Sequence, residues 1–209
     1  MKFEDVGIFF DRDGTVNVEV DFLRDPDELE IIPGVAKAIR EANEMGIRVF
    51  IITNQSGIAR GFLTEKDLER VHERLSAILS SAGARIDEIY YCPHHPEYGR
   101  PPYNISCNCR KPNTGMLKTA ARKYGIKLSK SFVVGDRCVD MKAGENAGCG
   151  TVLVLTGYGE TEKHECRANT RIDHVAGDAA QAWTYIKAEL TKDKSAKLQS
   201  RRSIKEFGR

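Results

Sequence analysis

Val6-Gly7-Ile8-Phe9-Phe10 is an unbroken apolar run that stops at Asp11-Arg12-Asp13-Gly14-Thr15. A strand with no polar position has no face for water, so it belongs in a parallel sheet covered on both sides. Two carboxylates one residue apart at its end point the same way while extended geometry lasts, and Gly14 permits the turn that follows. Neighbouring carboxylates repel, more so when buried, and such a pair calls for a cation or a shared proton. The plain alternative is an Asp-Gly turn closing an ordinary strand. Five matched positions after a wholly apolar strand weigh against it.

The rest of the chain alternates strand with helix. Val35, Ala38, Ile39, Ala42 and Met45 follow Pro33 at helical spacing, and Gly46 stops them. Residues 48–52 read as the second buried strand. Thr64 with Asp67 gives a capping-box pattern ahead of Leu68, Val71, Leu75, Ile78 and Leu79. Further strands are expected at 87–91, 131–134 and 151–155, with helices at 114–124, from about residue 139, and at 178–190. This order predicts an α/β fold: a Rossmann-like, open, mostly parallel sheet with helices on both faces. Ligands of such sheets sit beyond the carboxyl ends of the strands. Asp11, Asp13, Thr53, Arg110, Lys111 and Asp136 all fall at that rim.

Length and composition set bounds. The chain has 209 residues, 41% apolar and 30% charged, which suits an ordinary globular core. No apolar run reaches the ~20 residues of a membrane span. The N-terminal residues lack the basic-then-apolar build of a signal peptide, so a cytoplasmic protein without a membrane partner is expected. The net charge of +2 is uneven: 192–209 carries seven Lys/Arg against two acids, leaving −3 for the remainder. One domain is expected over 1–191, followed by a basic, poorly ordered tail over 192–209. The body lacks a basic stripe with interleaved aromatics, which argues against a nucleic-acid-end phosphatase or binding module.

Three of the six cysteines gather near histidines: Cys92-x-His94, twelve residues, then Cys107-x-Cys109. Without an export signal, this clustering favours metal over disulfides. Three thiolates and one imidazole form a closed tetrahedral set for a structural Zn²⁺. Spacing alone does not choose between His94 and His95. The loop leads into Arg110-Lys111-Pro112. Cys138, Cys149 and Cys166 read as small buried residues or, for Cys166, an exposed thiol.

Thr53 and Lys111 are weak signals singly. Beside two acids, a hydroxyl can donate to a phosphoryl oxygen and an ammonium can offset charge on a transferring group. Asp136 supplies a third acid for an all-oxygen Mg²⁺ site, and Asp140 can cap the helix that follows. Only 37 residues lie between Thr15 and Thr53. A helix and a strand use most of them, so no large cap domain fits there.

Asp11-Arg12-Asp13-Gly14-Thr15, Thr53, Lys111, and Gly135-Asp136 with Asp140 resemble, in order, the four motifs of the haloacid dehalogenase superfamily. The stretches 53–61, 90–96 and 107–112 are similar to its zinc-loop branch, which contains sugar-bisphosphate and histidinol-phosphate phosphatases. Ser56 and the longer loop favour the former. The resemblance implies Asp11 as nucleophile, Asp13 as acid/base, and Thr53 and Lys111 on the phosphoryl oxygens. It implies Mg²⁺ held by Asp11, Asp136 and the Asp13 carbonyl, and selects His94 for Zn²⁺. It implies substrate contacts from Glu19, Val20, Asp21, Phe22, Asn54, Gln55, Ser56, Arg110 and Arg137. Several relatives carry Lys where Arg137 stands, and Arg grips phosphate at two points. A monomer acting on a small sugar bisphosphate is expected. Intact acids argue against a catalytically dead zinc scaffold.

Overall fold

The computed structural model describes residues 2–206, with side chains through Lys192. Six parallel strands form one sheet in the order β3-β2-β1-β4-β5-β6. They are β1 (Gly7–Phe10), β2 (Arg48–Asn54), β3 (Glu88–Cys92), β4 (Phe132–Gly135), β5 (Gly150–Val154) and β6 (His174–Ala176). The helices are α1 (Val35–Glu44), α2 (Ser56–Arg60), α3 (Glu65–Ser81), α4 (Gly115–Tyr124), α5 (Cys138–Ala147), α6 (Gly159–Asn169) and α7 (Ala179–Glu206). Among the described residues, no helix is long and apolar enough to cross a membrane.

The apolar run of β1 is buried on both faces. Ile8 and Phe10 join Val49, Ile51, Val134 and Val152 in a core closed by α1, α3 and α7. Phe9 turns the other way, against Phe50, Ile52 and Val133, under α4 and α5. Register sets Phe9 opposite Phe50 on one side and Val133 on the other. Each large side chain buried this way stabilises the fold by about 2 kcal/mol. The Thr64–Asp67 capping box opens α3, and Ala179, Ala182, Trp183, Ile186 and Leu190 of α7 point inward.

No large cap domain interrupts the first crossover. Between β1 and α1 there is one 3₁₀ turn, Pro26–Glu28, and the loop folds back on itself through Val18 N–H to Glu30 O at 2.9 Å. Three elements escape the sequence pattern: α2, α6 and β6. Of these, α6 is polar nearly all round and buries only Gly159 and Cys166, so it has no periodicity to read. Helix α1 starts at Val35 rather than Pro33, with Gly34 at φ +87° before it. The last helix continues past Leu190 along its backbone. The tail set apart at 192–209 lies, beyond Lys192, outside the described side chains.

One reading is corrected. Cys138 and Cys166 are not free thiols but a disulfide joining the start of α5 to α6. Their 28-residue separation hides a pairing that only the packing of α6 against α5 creates. Cys149 is free and buried.

Candidate active site

Asp11 directly continues β1, its N–H still donating to the Val134 carbonyl of β4 at 2.8 Å. Its carboxylate meets Lys111 Nζ at 2.8 Å, and the same ammonium lies 2.6 Å from Asp140 Oδ1 and donates to Ile52 O at 2.9 Å. Lys111 is buried; desolvation works against its charge, but Asp11 and Asp140 hold it protonated. Asp136, after β4, accepts from the Tyr158 N–H at 2.8 Å and from the Thr15 hydroxyl at 3.4 Å. Gly14 and Gly157, both at positive φ, crowd the Asp136 carboxylate so closely that neither has room for a β-carbon.

Asp11, Asp136 and Asp140 each offer an oxygen within 4.8 Å of the others. Burial, then the Asp140 charge, pushes the Asp11 carboxyl up to about 7. Burial, then Asp11 and Asp140, pushes Asp136 up to about 8. Three buried carboxylates against one ammonium leave a negative excess, and their hard oxygen donors fit a divalent cation such as Mg²⁺. Asp140 was expected as a helix cap. It does cap α5, accepting from the Arg137 N–H at 3.0 Å, and it also counts among these acids.

The Asp13 side chain is turned away from this cluster. Arg12, wholly buried, grips it through Nε and Nη2 at 2.8–3.0 Å, and Asn17 and Gln55 donate to it at 3.0 and 2.9 Å. Burial raises the cost of its charge, yet Arg12 and Asn17 keep its carboxyl below the usual range. Arg12 Nη1 also contacts His72 Nε2 at 3.2 Å. Burial and the Arg12 charge depress His72 to about 3, so the ring is neutral and accepts.

A cavity of about 390 Å³ opens above these groups. Asp11, Asp13, Glu19, Asp21, Phe22, Thr53, Asn54, Gln55, Ser56, Arg110, Lys111 and Arg137 line it. Val20 does not; its side chain packs against the large core. Thr53 accepts from Gln55 Nε2 at 2.9 Å, which leaves the threonine proton free to donate. Asn54 spends its amide on Lys111, accepting from the Lys111 N–H at 3.0 Å and donating to its carbonyl at 3.1 Å. Burial and then the charges of Asp13 and Asp11 push Glu19 up to about 7. Arg137 lies over the Tyr158 ring at 4.4 Å and pairs with Glu162 of α6 at 3.0 Å.

The cysteine loop sits beside this cavity. The thiols of Cys92, Cys107 and Cys109 are 3.1–3.4 Å apart. His94 Nδ1 lies 3.8 Å from Cys92 and 3.5 Å from Cys109. Corners of a tetrahedron with Zn–S near ~2.3 Å are ~3.8 Å apart, so the four atoms are slightly tighter than a loaded site but share its donor set. His95 faces elsewhere, accepting the Glu97 and Tyr98 N–H groups on Nδ1, each at 3.2 Å. Arg110 donates to the His94 carbonyl at 3.1 Å.

Residues 8–84 match the family described as haloacid dehalogenase-like hydrolase, and residues 108–182 match the HAD-hydrolase-like family. The D-glycero-beta-D-manno-heptose-1,7-bisphosphate 7-phosphatase of Escherichia coli (strain K12) is 42% identical over 176 residues, 84% of this chain and 92% of its own. The chain belongs to the haloacid dehalogenase-like hydrolases. A phosphatase of the same name from Photorhabdus laumondii is 41% identical, over 81% of this chain and 90% of its own. Among solved members of the family, the D,D-heptose 1.7-bisphosphate phosphatase from B. bronchiseptica, complexed with magnesium and phosphate, superposes with a TM-score of 0.78. It is 34% identical and covers 90% of this chain and 99% of its own.

Within this haloacid dehalogenase-like hydrolase, sequence reasoning missed several cavity residues. Arg60, Val139 and Tyr158 line the cavity, and Arg12 and His72 lie behind Asp13. Arg60 sits inside the stretch 53–61 that carried the resemblance, and its charge at the end of α2 was the available signal. Tyr158 follows a short glycine-bearing turn after β5 and offered none.

Proposed function

We propose that this chain is a Mg²⁺-dependent phosphatase that removes the C7 phosphate of D-glycero-β-D-manno-heptose 1,7-bisphosphate. The observation that carries the reading is one cavity that presents Asp11 and Lys111 together with Arg110 and Arg137. A bisphosphate needs both sets, one for the phosphate that reacts and one for the phosphate that stays. The names of the 41–42% identical relatives supply the sugar and its anomer.

Asp11 attacks phosphorus in line and takes the phosphoryl group as an aspartyl-phosphate. Lys111 and the free proton of Thr53 steady the phosphoryl oxygens. Asp13, held ionised by Arg12 beforehand, gains proton affinity as the phosphate dianion arrives beside it. It takes up a proton from solvent as substrate binds, donates that proton to the leaving alkoxide, and later takes one from the hydrolytic water. Asp11, Asp136 and the Asp13 carbonyl would hold Mg²⁺, which would supply positive charge to offset carboxylate and phosphate together. Lys111, itself paired with Asp140, orients the Asp11 carboxylate. Glu19 and Asp21 accept sugar hydroxyls. Cys92, His94, Cys107 and Cys109 would hold Zn²⁺, which would fix the loop that delivers Arg110 and Lys111.

Phosphate release from both anomers of the heptose bisphosphate and from histidinol phosphate, with Mg²⁺ added or chelated, tests the assignment. The β-bisphosphate should have the highest kcat/KM, and chelation should abolish turnover. A higher kcat/KM for histidinol phosphate would overturn the reading. Asp11→Asn should leave a folded, inactive chain; retention of more than about a tenth of the activity would remove the nucleophile assignment.

A further inference from the structure

Arg60 closes the last turn of α2 and lines the same cavity as Arg110 and Arg137. A basic residue in the last turn of a helix is ordinarily explained by the free carbonyls there. Arg60 has a more specific setting: its guanidinium lies 4.2 Å from the centroid of the Tyr98 ring. Tyr98 belongs to the cysteine loop and is itself fixed, its N–H donating to His95 Nδ1 and its ring lying 4.6 Å from the His95 ring. The next residue, Gly99, at φ +100°, lies so close to the Ala59 carbonyl that no β-carbon fits between them. The loop backbone therefore rests directly on α2, one residue ahead of Arg60.

Charge completes the argument. Arg137 has a carboxylate partner, Glu162. Arg60 and Arg110 have none among the described residues; the one is held by an aromatic face and the other by a carbonyl. Carboxylates line the cavity too, but none pairs directly with Arg60 or Arg110; Arg60 and Arg137 both work against the Arg110 charge, and an anion bound among them relieves that repulsion. A planar fork held over an aromatic ring is oriented in advance for two-point contact with phosphate. We propose that Arg60 is a specificity-determining residue for the phosphate that is not cleaved, and that Tyr98 positions it. On this view the cysteine loop aims two arginines, Arg110 through His94 and Arg60 through Tyr98. The proposal rests on the bisphosphate reading above.

The test uses the full chain, loaded with zinc and magnesium, and two substrates: the heptose 1,7-bisphosphate and p-nitrophenyl phosphate, which has no second phosphate. Arg60→Ala should raise KM for the bisphosphate roughly tenfold, a loss fitting one charge-assisted contact, and do so more than it changes kcat. The ratio of kcat/KM for the two substrates should fall by a similar factor. A sugar 1-phosphate, used as a competitive inhibitor, should weaken in parallel. Tyr98→Ala should lower the ratio in the same direction, whereas Tyr98→Phe, which keeps the ring, should retain it. Adding Tyr98→Ala to Arg60→Ala should cost nothing further. Equal losses on both substrates, or an unchanged ratio in Arg60→Ala, overturn the assignment while the bisphosphate reading stands. A parent chain that fails to prefer the bisphosphate overturns both.

Discussion

The Asn54 side chain holds Lys111 by its backbone, accepting from the Lys111 N–H at 3.0 Å and donating to its carbonyl at 3.1 Å. The end of β2 thus fastens the residue that carries the positive charge to Asp11, across 57 positions of sequence. Asn54→Ala removes both bonds, worth about 2 kcal/mol together. Turnover should fall by at least about tenfold, because catalysis is sensitive to ångström misplacement of a charged group. Steady-state kinetics beside a thermal melt would check this; a melt shifted by many degrees with unchanged kcat would contradict it.

Stability of the magnesium-free chain should decline as pH rises from about 4 to about 8. Asp11, Glu19 and Asp136 all have carboxyls pushed up, to about 7, about 7 and about 8, and together they outweigh the opposing contribution of His72, depressed to about 3. In that window the folded chain binds protons that the unfolded chain has released, so each step up in pH favours unfolding. The contribution is complete below the unfolded values and lost as pH passes the folded ones. Mg²⁺ compensates the exposed repulsion, so it should raise the melting temperature more at pH 8 than at pH 5.5. Melts with and without Mg²⁺ at both pH values would show it, and an equal shift at each would dismiss the coupling.

One zinc per chain is expected by elemental analysis. Cys107→Ser should lower that content, lower the melting temperature and slow phosphate release, since the loop it anchors leads into Arg110 and Lys111. Full activity in a zinc-free chain would show that the loop holds its shape without metal.

Reduction of Cys138–Cys166 should destabilise the chain by about 2–4 kcal/mol, the usual effect of opening a loop of this length. Its 28-residue span includes Glu162, which pairs with Arg137. Denaturation with and without a dithiol reductant, compared with Cys138→Ser, gives the measurement. Coincident curves for oxidised and reduced protein would argue against the bond.

The sheet and the acids at the end of its first strand were legible because they are local. A wholly apolar strand running into Asp-x-Asp-Gly carries its own periodicity, and the Cys/His cluster is spelled out within eighteen residues. What stayed hidden depends on pairs distant in sequence. Arg12 reads as a spacer between two acids until His72 and Asp13 are seen on either side of it. Of the residues for which the likeness implied substrate contact, Val20 packs into the core, and Asn54, though at the cavity wall, spends its amide on the Lys111 backbone. Helix α6 has no apolar stripe, and the bond between Cys138 and Cys166 exists only because that helix docks on α5.

Strand β1 lies between β2 and β4, so Asp11 receives its neighbours from two flanks. Thr53 arrives with the segment before the cysteine loop, and Lys111 and Asp136 with the segment after it. A polypeptide severed within that loop would yield one piece bearing Asp11 bereft of its ammonium, and another bearing that ammonium with Asp140 for a partner but no Asp11. Only their re-annealing edge to edge along β1 and β4 would restore a working whole.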